Sequence, residues 1–368
     1  MPRRAGGDSI PPKVAVMILN YNGVGWLDKC LRSVLNSTYP NYDVYLLDNG
    51  STDGSVEFVR KTFPTVRVIA YKVNFGFPEA YNKAISQVAC EHVVLLNNDT
   101  QVMNEDWLGH LVSVAEGDNA VAAVACKIVS MQDHQILDSV GGMGIPFWRG
   151  FVDIGKGEAD NGQYGESFEP FAFCGGAALV KRSAFLGVGG FDGRLFLYFE
   201  DSDISWRLRL IGRTIAFAPE ARVAHFFSAS FGGMEVNPVK LYYCHRNYLR
   251  SILKNCGSSL TWAIRNYLLF TLFLLFGFAI FEPIKTLAVT KGLVWNFGHL
   301  RGTYAERKCV QSRRTVDDAT ILCVMYPRQP RYQAEDHSRL RHFVNMLFGR
   351  SLAGGHRFSH ISKTREIL

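Results

Sequence analysis

The chain has 368 residues, 48% hydrophobic and 20% charged, which excludes a disordered or fibrous polypeptide and provides for a large core with an appendage. Its net charge of +7 is carried by the end: residues 301–368 hold thirteen Lys or Arg against six Asp or Glu, leaving residues 1–300 neutral. No nucleic-acid-binding motif accompanies this basic tail, so nucleic acid is not expected, and the readings left are an anionic lipid surface or plain solvation.

Apolar spacing lays out an alternating series. Val14 to Leu19 predicts a buried strand, and Leu27, Cys30, Leu31, Val34 and Leu35 then recur at helical intervals. Val44 to Leu47 predicts a second strand, Val56, Phe58 and Val59 a capped helix, and Val66 to Ala70 a third strand. Phe77 to Val88 reads as a helix, Val93 to Leu96 as a strand, Trp107 to Ala115 as a helix and Val121 to Cys126 as a strand. Such alternation implies an α/β domain with a mostly parallel sheet flanked by helices. In open sheets of this kind ligands bind beyond the carboxyl ends of the strands. Three polar clusters fall there: Asn20-Tyr21-Asn22-Gly23, Asp48-Asn49-Gly50-Ser51-Thr52-Asp53-Gly54 and Asn97-Asn98-Asp99-Thr100. Each alone is also what a turn or helix cap looks like.

Two nucleotide-binding classes are excluded by the residues after the first strand. Gly23-Val24-Gly25 runs into Trp26, Leu27 and Asp28, so the third glycine of the dinucleotide fingerprint is missing, and no GxxxxGK[ST] loop exists. The eight cysteines form no Cys-x-x-Cys pair and sit mostly among apolar neighbours, as reduced packing residues of a cytosolic protein would. The N-terminus carries no apolar stretch long enough for a signal peptide, so export is not expected.

The ordered series VAVMILNYN, LLDNGSTDGS, NFGFPEAYNKA, LLNNDT, FCGGAALVKRSAF, GGFDGRLFLYFEDSDISWRLRLIG and PEARVAHFFSAS resembles the family-2 inverting glycosyltransferases of the GT-A fold. The resemblance runs over about residues 13–230. The later YYCHRNYLRSILKN and AERKCVQSRRTVDD are similar to the tail of bacterial members described as rhamnosyltransferases of cell-envelope polysaccharide assembly. It implies transfer of a sugar from a UDP-, dTDP- or GDP-linked donor to a polyprenyl-linked saccharide. Because the Gln-x-x-Arg-Trp motif of processive members is absent, one addition per binding event is expected. A non-catalytic nucleotide- or sugar-binding subunit of an envelope complex is the alternative.

The resemblance also assigns residues. A divalent cation, Mg or Mn, would stabilise the departing diphosphate. The family's Asp-x-Asp motif reads Asn97-Asn98-Asp99 here, which implies Asp99 as the acidic ligand, with Asn97 or Asn98 orienting the sugar or a water. His225 falls where the family has a second metal ligand; read alone, it is a structural histidine. Asp48 is implied as acceptor of a base N–H, and Asn20, Asn22 and Asn74 as lining the donor. Glu200, Asp201 and Asp203 occupy the first turn of a helix, where the positive end of the dipole favours an ionised carboxylate, although acids are common helix caps there. The resemblance selects Asp201 as general base, and Glu200 and Asp203 are expected to bind acceptor hydroxyls or to hold the turn. Gly175-Gly176 is expected to floor the acceptor pocket, and Gly232-Gly233 to belong to a closing loop. Pro146 to Arg149 is either a sugar-stacking aromatic stretch or an irregular connection.

Beyond residue 235 the composition changes. Pro238 to Lys254 reads as a basic, aromatic helix, and Leu268 to Phe281 contains Thr271 as its one polar residue. At fourteen residues it falls short of the roughly 20 needed to span a bilayer. A helical hairpin on or in the inner leaflet is expected, with the basic tail on anionic headgroups, placing the protein at the cytoplasmic face of the cell membrane. The competing reading is packing on the catalytic domain or on a second copy in a homo-oligomer. The expected division is a tail (1–12), a catalytic domain (13–126 for the nucleotide-sugar half, 127–235 for the acceptor half), a helical membrane-associated region (236–312) and a basic tail (313–368).

Overall fold

Alternating hydrophobic strands and amphipathic helices do build the first part of the chain. The computed structural model describes residues 10–145, 150–226 and 237–326. Strand β1 (Val14–Asn20) leads to α1 (Val24–Leu35), β2 (Tyr42–Asp48), α2 (Ser55–Thr62), β3 (Arg67–Ala70), α3 (Gly76–Gln87) and β4 (His92–Asn97). Next come β5 (Thr100–Val102), α4 (Trp107–Gly117), β6 (Val121–Ser130), β7 (Leu137–Ser139), β8 (Gly142–Ile145), β9 (Gly150–Asp153), β10 (Ala177–Lys181), α5 (Arg182–Gly187), α6 (Glu200–Leu210) and β11 (Thr214–His225). The helical part comprises α7 (Pro238–Asn255), α8 (Leu260–Phe281), α9 (Pro283–Gly298), α10 (Leu300–Ser312) and α11 (Asp318–Met325). Residues 146–149, Gly232-Gly233 and the basic segment from 327 onward lie outside the described residues, as do residues 1–9.

The described residues divide into two compact units. The first draws on 10–141, 153–196 and 213–226 and the second on 142–145, 150–152, 197–212 and 237–326. In the first, one sheet runs β3-β2-β1-β4-β10-β6-β11-β5, with β7 added to β6. The pairs β1–β2, β1–β4, β2–β3 and β6–β11 are parallel, as the βαβ alternation requires. Beyond β4 the sheet is mixed, because β10 inserts antiparallel between β4 and β6. The helix face of α1 that the spacing predicts, Leu27, Cys30, Leu31 and Val34, is buried in one core with β1 and with Trp107, Leu108 and Leu111 of α4. Trp107 satisfies its buried indole N–H by donating to Ser37 Oγ at 2.8 Å.

The second unit gathers segments that a single boundary near residue 235 would have separated. Phe151 packs on Phe199, Trp206 and Tyr248, drawing β9 and α6 to α7. Gly292 of α9 lets two helices approach closely: a Cβ there would lie 2.7 Å from the Tyr242 carbonyl oxygen of α7. Asn296 one turn on donates to the Arg246 carbonyl at 3.0 Å. Arg250, fully buried, is held by Thr303 Oγ1 at 2.6 Å and Glu306 at 2.5 Å. The apolar segment foreseen at fourteen residues is part of a longer helix. At about 1.5 Å per residue, the 22 residues of α8 extend about 33 Å. It is the one described helix long and apolar enough to cross a membrane by length and composition. Leu269, Leu272, Phe273, Phe276 and Ile280 of α8, and Ile284, Leu287, Val294 and Phe297 of α9, are exposed.

Candidate active site

The register of the first unit's sheet gathers its polar residues. The parallel alignment of β1 with β2 and β4 sets Asn20 opposite Asp48 and Leu19 opposite Asn97, so three strand ends share one edge. Strand β10 enters at that edge, and the Asn97 N–H donates to the Gly176 carbonyl at 3.0 Å. The antiparallel pairing of β11 with β5 then matches His225 with Thr100, and the Phe226 N–H bonds the Asp99 carbonyl. Pairing alone thus brings Asp99, Asn97, Gly176 and His225 together from three stretches of sequence.

His225 is the centre of this group. Its Nε2 lies 3.3 Å from Asp99 Oδ1 and 3.4 Å from Asn97 Nδ2, and its Nδ1 lies 3.1 Å from Asp138 Oδ2. Lys156 Nζ holds the second oxygen of Asp138 at 3.1 Å. Burial alone would lower the imidazole pKa, but the hydrogen bonds to Asp138 and Asp99 and their charges outweigh it and push it up to about 9. Burial opposes ionisation of Asp138 too, yet the bonds and charges of His225 and Lys156 hold its carboxyl below the usual range. Gly176 leaves the surface over these residues open: a Cβ there would sit 3.4 Å from His225 Cε1 and 3.6 Å from Asn97 Nδ2. The glycine expected beneath an acceptor therefore sits against the Asp99–His225 pair.

This donor set suits a hard divalent cation, but only with help. Asp99 Oδ1 and His225 Nε2 are near enough to share one ion, while among the described residues no three or more His, Cys, Asp or Glu side chains are grouped to hold a metal. Mg²⁺ and its relatives are commonly held by one or two protein ligands, completed by water and substrate phosphates. The pair fits that mode.

The remaining strand-end residues grip one another. Asn98 Nδ2 donates to Asn20 Oδ1 at 2.7 Å, and Asn20 Nδ2 donates to Asp48 Oδ1 at 3.0 Å and Ser51 Oγ at 3.1 Å. Asp48, expected to meet a nucleobase, is only 2% exposed, and its second oxygen accepts from the Ser51 N–H. In this arrangement it shapes the loop. Asn22, left-handed with φ 49°, accepts from the Thr52 N–H, and Asn74 Oδ1 accepts from Asn49 Nδ2 and the Gly76 N–H. Asp53, not singled out from the sequence, ties this loop to α1 by accepting from the Val24 N–H at 2.9 Å.

The acidic triplet belongs to the second unit. Its three carboxyls have three different surroundings. Asp201 is half-buried at the start of α6 and accepts from the Ser202 N–H. Glu200 is buried, and burial first, then the charge of Asp201, push its carboxyl up to about 8. Asp203, expected on acceptor hydroxyls or holding the turn, is enclosed by other side chains of the second unit. Completely buried, it accepts from Arg207 Nε at 2.9 Å and from Lys254 Nζ, Ser251 Oγ and Asn255 Nδ2 at 3.0 Å each. The turn before α6 is strained: Tyr198 and Phe199 have φ of 63° and 76°, a region bulky side chains avoid. Asn247 steadies it by donating to the carbonyls of Leu197 and Tyr198 at 2.8 and 2.7 Å.

Comparison with known proteins decides the family. Residues 15–187, from β1 through α5, match the model of the family described as Glycosyl transferase family 2. Residues 15–187 are thus a glycosyltransferase family 2 domain. An N-acetylglucosaminyl-diphospho-decaprenol L-rhamnosyltransferase of Mycobacterium tuberculosis is 28% identical to this glycosyltransferase over 250 residues, covering 59% of this chain and 77% of that one. The O-antigen biosynthesis protein RfbC of Myxococcus xanthus is 27% identical over 227 residues, 60% of this chain but 18% of that much longer protein. Among solved structures, GalNAc-T7 with UDP, GalNAc and Mn²⁺ superposes with a TM-score of 0.54 at 18% identity, over 69% of this chain and 50% of that one. The mannosyltransferase PcManGT of Pyrobaculum calidifontis, in complex with GDP-Man and Mn²⁺, gives 0.50 at 17% identity, over 89% and 92%. At such identities the two structures establish the GT-A-like fold of this glycosyltransferase.

Proposed function

We propose that the enzyme moves a sugar, such as rhamnose, from a nucleotide-diphosphate donor to a lipid-linked saccharide with inversion, one unit per binding event. The observation that carries this reading is the Asp99–His225 pair, set by β5–β11 pairing at the edge where β1, β2 and β4 end. Asp99 and His225 would hold a divalent cation, whose charge neutralises the diphosphate as the anomeric bond breaks. The acceptor hydroxyl attacks the anomeric carbon opposite the diphosphate, the new C–O bond forms, and the diphosphate departs with the electron pair of the old one. Asp201 takes the hydroxyl proton. The first turn of α6 favours its ionised form, and Glu200 beside it holds its own proton up to about 8. Asn97 stands as a neutral amide where the motif has its first carboxylate, so that Asp99 supplies the one acidic side chain of that turn.

The acceptor and location rest on two supports. The mycobacterial relative's name specifies a decaprenol-linked substrate, and α8 and α9 expose a run of large apolar side chains. Here the hairpin rests in the cytoplasmic leaflet, as a peripheral or monotopic anchor beside a polyprenyl-linked acceptor. The test is transfer from UDP-, dTDP- and GDP-sugars to short polyprenyl diphosphate saccharides with Mg²⁺ or Mn²⁺, the product anomer being read by NMR. Asp201→Asn should lower kcat by about 10²–10⁴-fold with folding intact. Unchanged turnover in that variant, or a retained anomeric configuration, refutes the mechanism.

A further inference from the structure

The stretch between β6 and β10 supplies a residue that no strand-end motif contains. We propose that Asp138 is a positioning residue for the cation: by accepting the Nδ1–H of His225 while Lys156 holds its other oxygen, it commits His225 Nε2, beside Asp99, to the metal. The inference rests on the cation reading above and deepens it.

A neutral imidazole has one N–H donor and one bare nitrogen, so whatever accepts the N–H determines which nitrogen can bind a metal. His225 lies with Nδ1 3.1 Å from a carboxylate that belongs to a different strand, and Nε2 toward Asp99. The partner arrives by sheet pairing. Strand β6 lies between β11 and β7, matching Ser130 with His225 on one side and Ile128 with Ser139 on the other. The next pair is Val129 with Leu137, a register shift that leaves Asp138 between the two paired residues of β7. Asp138 is itself fixed: it is buried, Lys156 Nζ is 3.1 Å from its Oδ1, and the neighbouring Ser139 hydroxyl donates to Asp153 at 2.8 Å. The charges also balance for this role. With a bare imidazole, Asp99, Asp138 and Lys156 sum to one negative charge, and a divalent cation turns this into one positive charge, the sign a diphosphate requires. Metal-bound histidines commonly donate their other N–H to a carboxylate, and loss of that partner typically weakens metal affinity about 10–100-fold.

The experiment uses the full chain with Mn²⁺ and inorganic diphosphate. EPR titration measures Mn²⁺ affinity, and pulsed EPR detects ¹⁴N coupling from a coordinated imidazole. Wild type should show a ¹⁴N coupling that His225→Ala lacks. Asp138→Asn should bind Mn²⁺ about 10–100-fold more weakly, with a circular dichroism spectrum in metal-free buffer showing that it is folded. If Asp138→Asn keeps the wild-type affinity and coupling, the positioning role is refuted while the cation site stands. If wild type shows no ¹⁴N coupling, the cation site fails and this role with it. A measurement on the unaltered chain covers a variant that does not fold: with Mg²⁺ and diphosphate, histidine-selective ¹H–¹⁵N spectra should place the His225 proton on Nδ1. A proton on Nε2 overturns the inference.

Discussion

Replacing Asp203 by Asn or Ala separates a structural carboxylate from a substrate-binding one. Both oxygens are used: Oδ2 faces Arg207 and Lys254, and Oδ1 faces Ser251 and Asn255. The two cations are themselves buried, with side chains 6% and 2% exposed, so water cannot replace the lost carboxylate. Removing one member of a buried ion pair costs about 3–5 kcal/mol, and each neutral hydrogen bond about 1 kcal/mol. Asp203→Ala should therefore lose about 5 kcal/mol, an amount comparable with the whole stability of a marginal domain. Asp203→Asn retains shape and one acceptor oxygen but turns an amide toward cations, and should lose about 3 kcal/mol. Urea denaturation followed by circular dichroism and by tryptophan fluorescence, which includes buried Trp206, measures the change. A loss below about 1 kcal/mol in Asp203→Asn, together with a raised KM for the acceptor, would refute the reasoning and restore the acceptor role.

Three further outcomes are expected. Glu200 has a folded pKa raised above its unfolded value, so its contribution to stability is present below about 4.5 and is lost as pH rises toward 8; Glu200→Gln should flatten that decline, leaving the variant at least about 2–4 °C more stable relative to wild type at pH 8.5 than at pH 5 by thermal scans, roughly 1 kcal/mol. Asn247→Ala removes two buried bonds from the left-handed turn before α6 and should cost about 2–3 kcal/mol by denaturant titration, with kcat falling more than KM rises because Asp201 comes directly after that turn. Phe273→Asp with Phe276→Asp, on the exposed face of α8, should abolish flotation with anionic vesicles while leaving donor binding unchanged; undiminished flotation would argue against lipid contact there.

What could be read from the sequence was what periodicity and strand ends encode. The α1 face, the strand interiors of β1, β2, β4 and β6, and the polar strand ends all depend on nearby residues, and all occur. Asp138 was not legible because a three-residue strand has no measurable period and its partner His225 lies 87 residues away. The acidic triplet was seen, but three acids in one helical turn look alike until α7 supplies Ser251, Lys254 and Asn255 around Asp203. Asp48 looked open at its strand end, and it is the side chain of Asn20 and the Ser51 backbone that close over it. The longer α8 was missed because Arg265 and Asn266 interrupt the apolar run without interrupting the helix.

Asn20 is completely buried, and its one amide touches the ends of three strands at once: Asp48 ending β2 and Ser51 beyond it, Asn98 after β4, from its own place on β1. Loops joined this way have given up their separate motions when the chain folds, so under the proposed function a nucleotide donor need not freeze them again. Its association should therefore be limited by encounter more than by rearrangement of this floor. An alanine at position 20 would return those motions, and much of the resulting loss of affinity should be entropic.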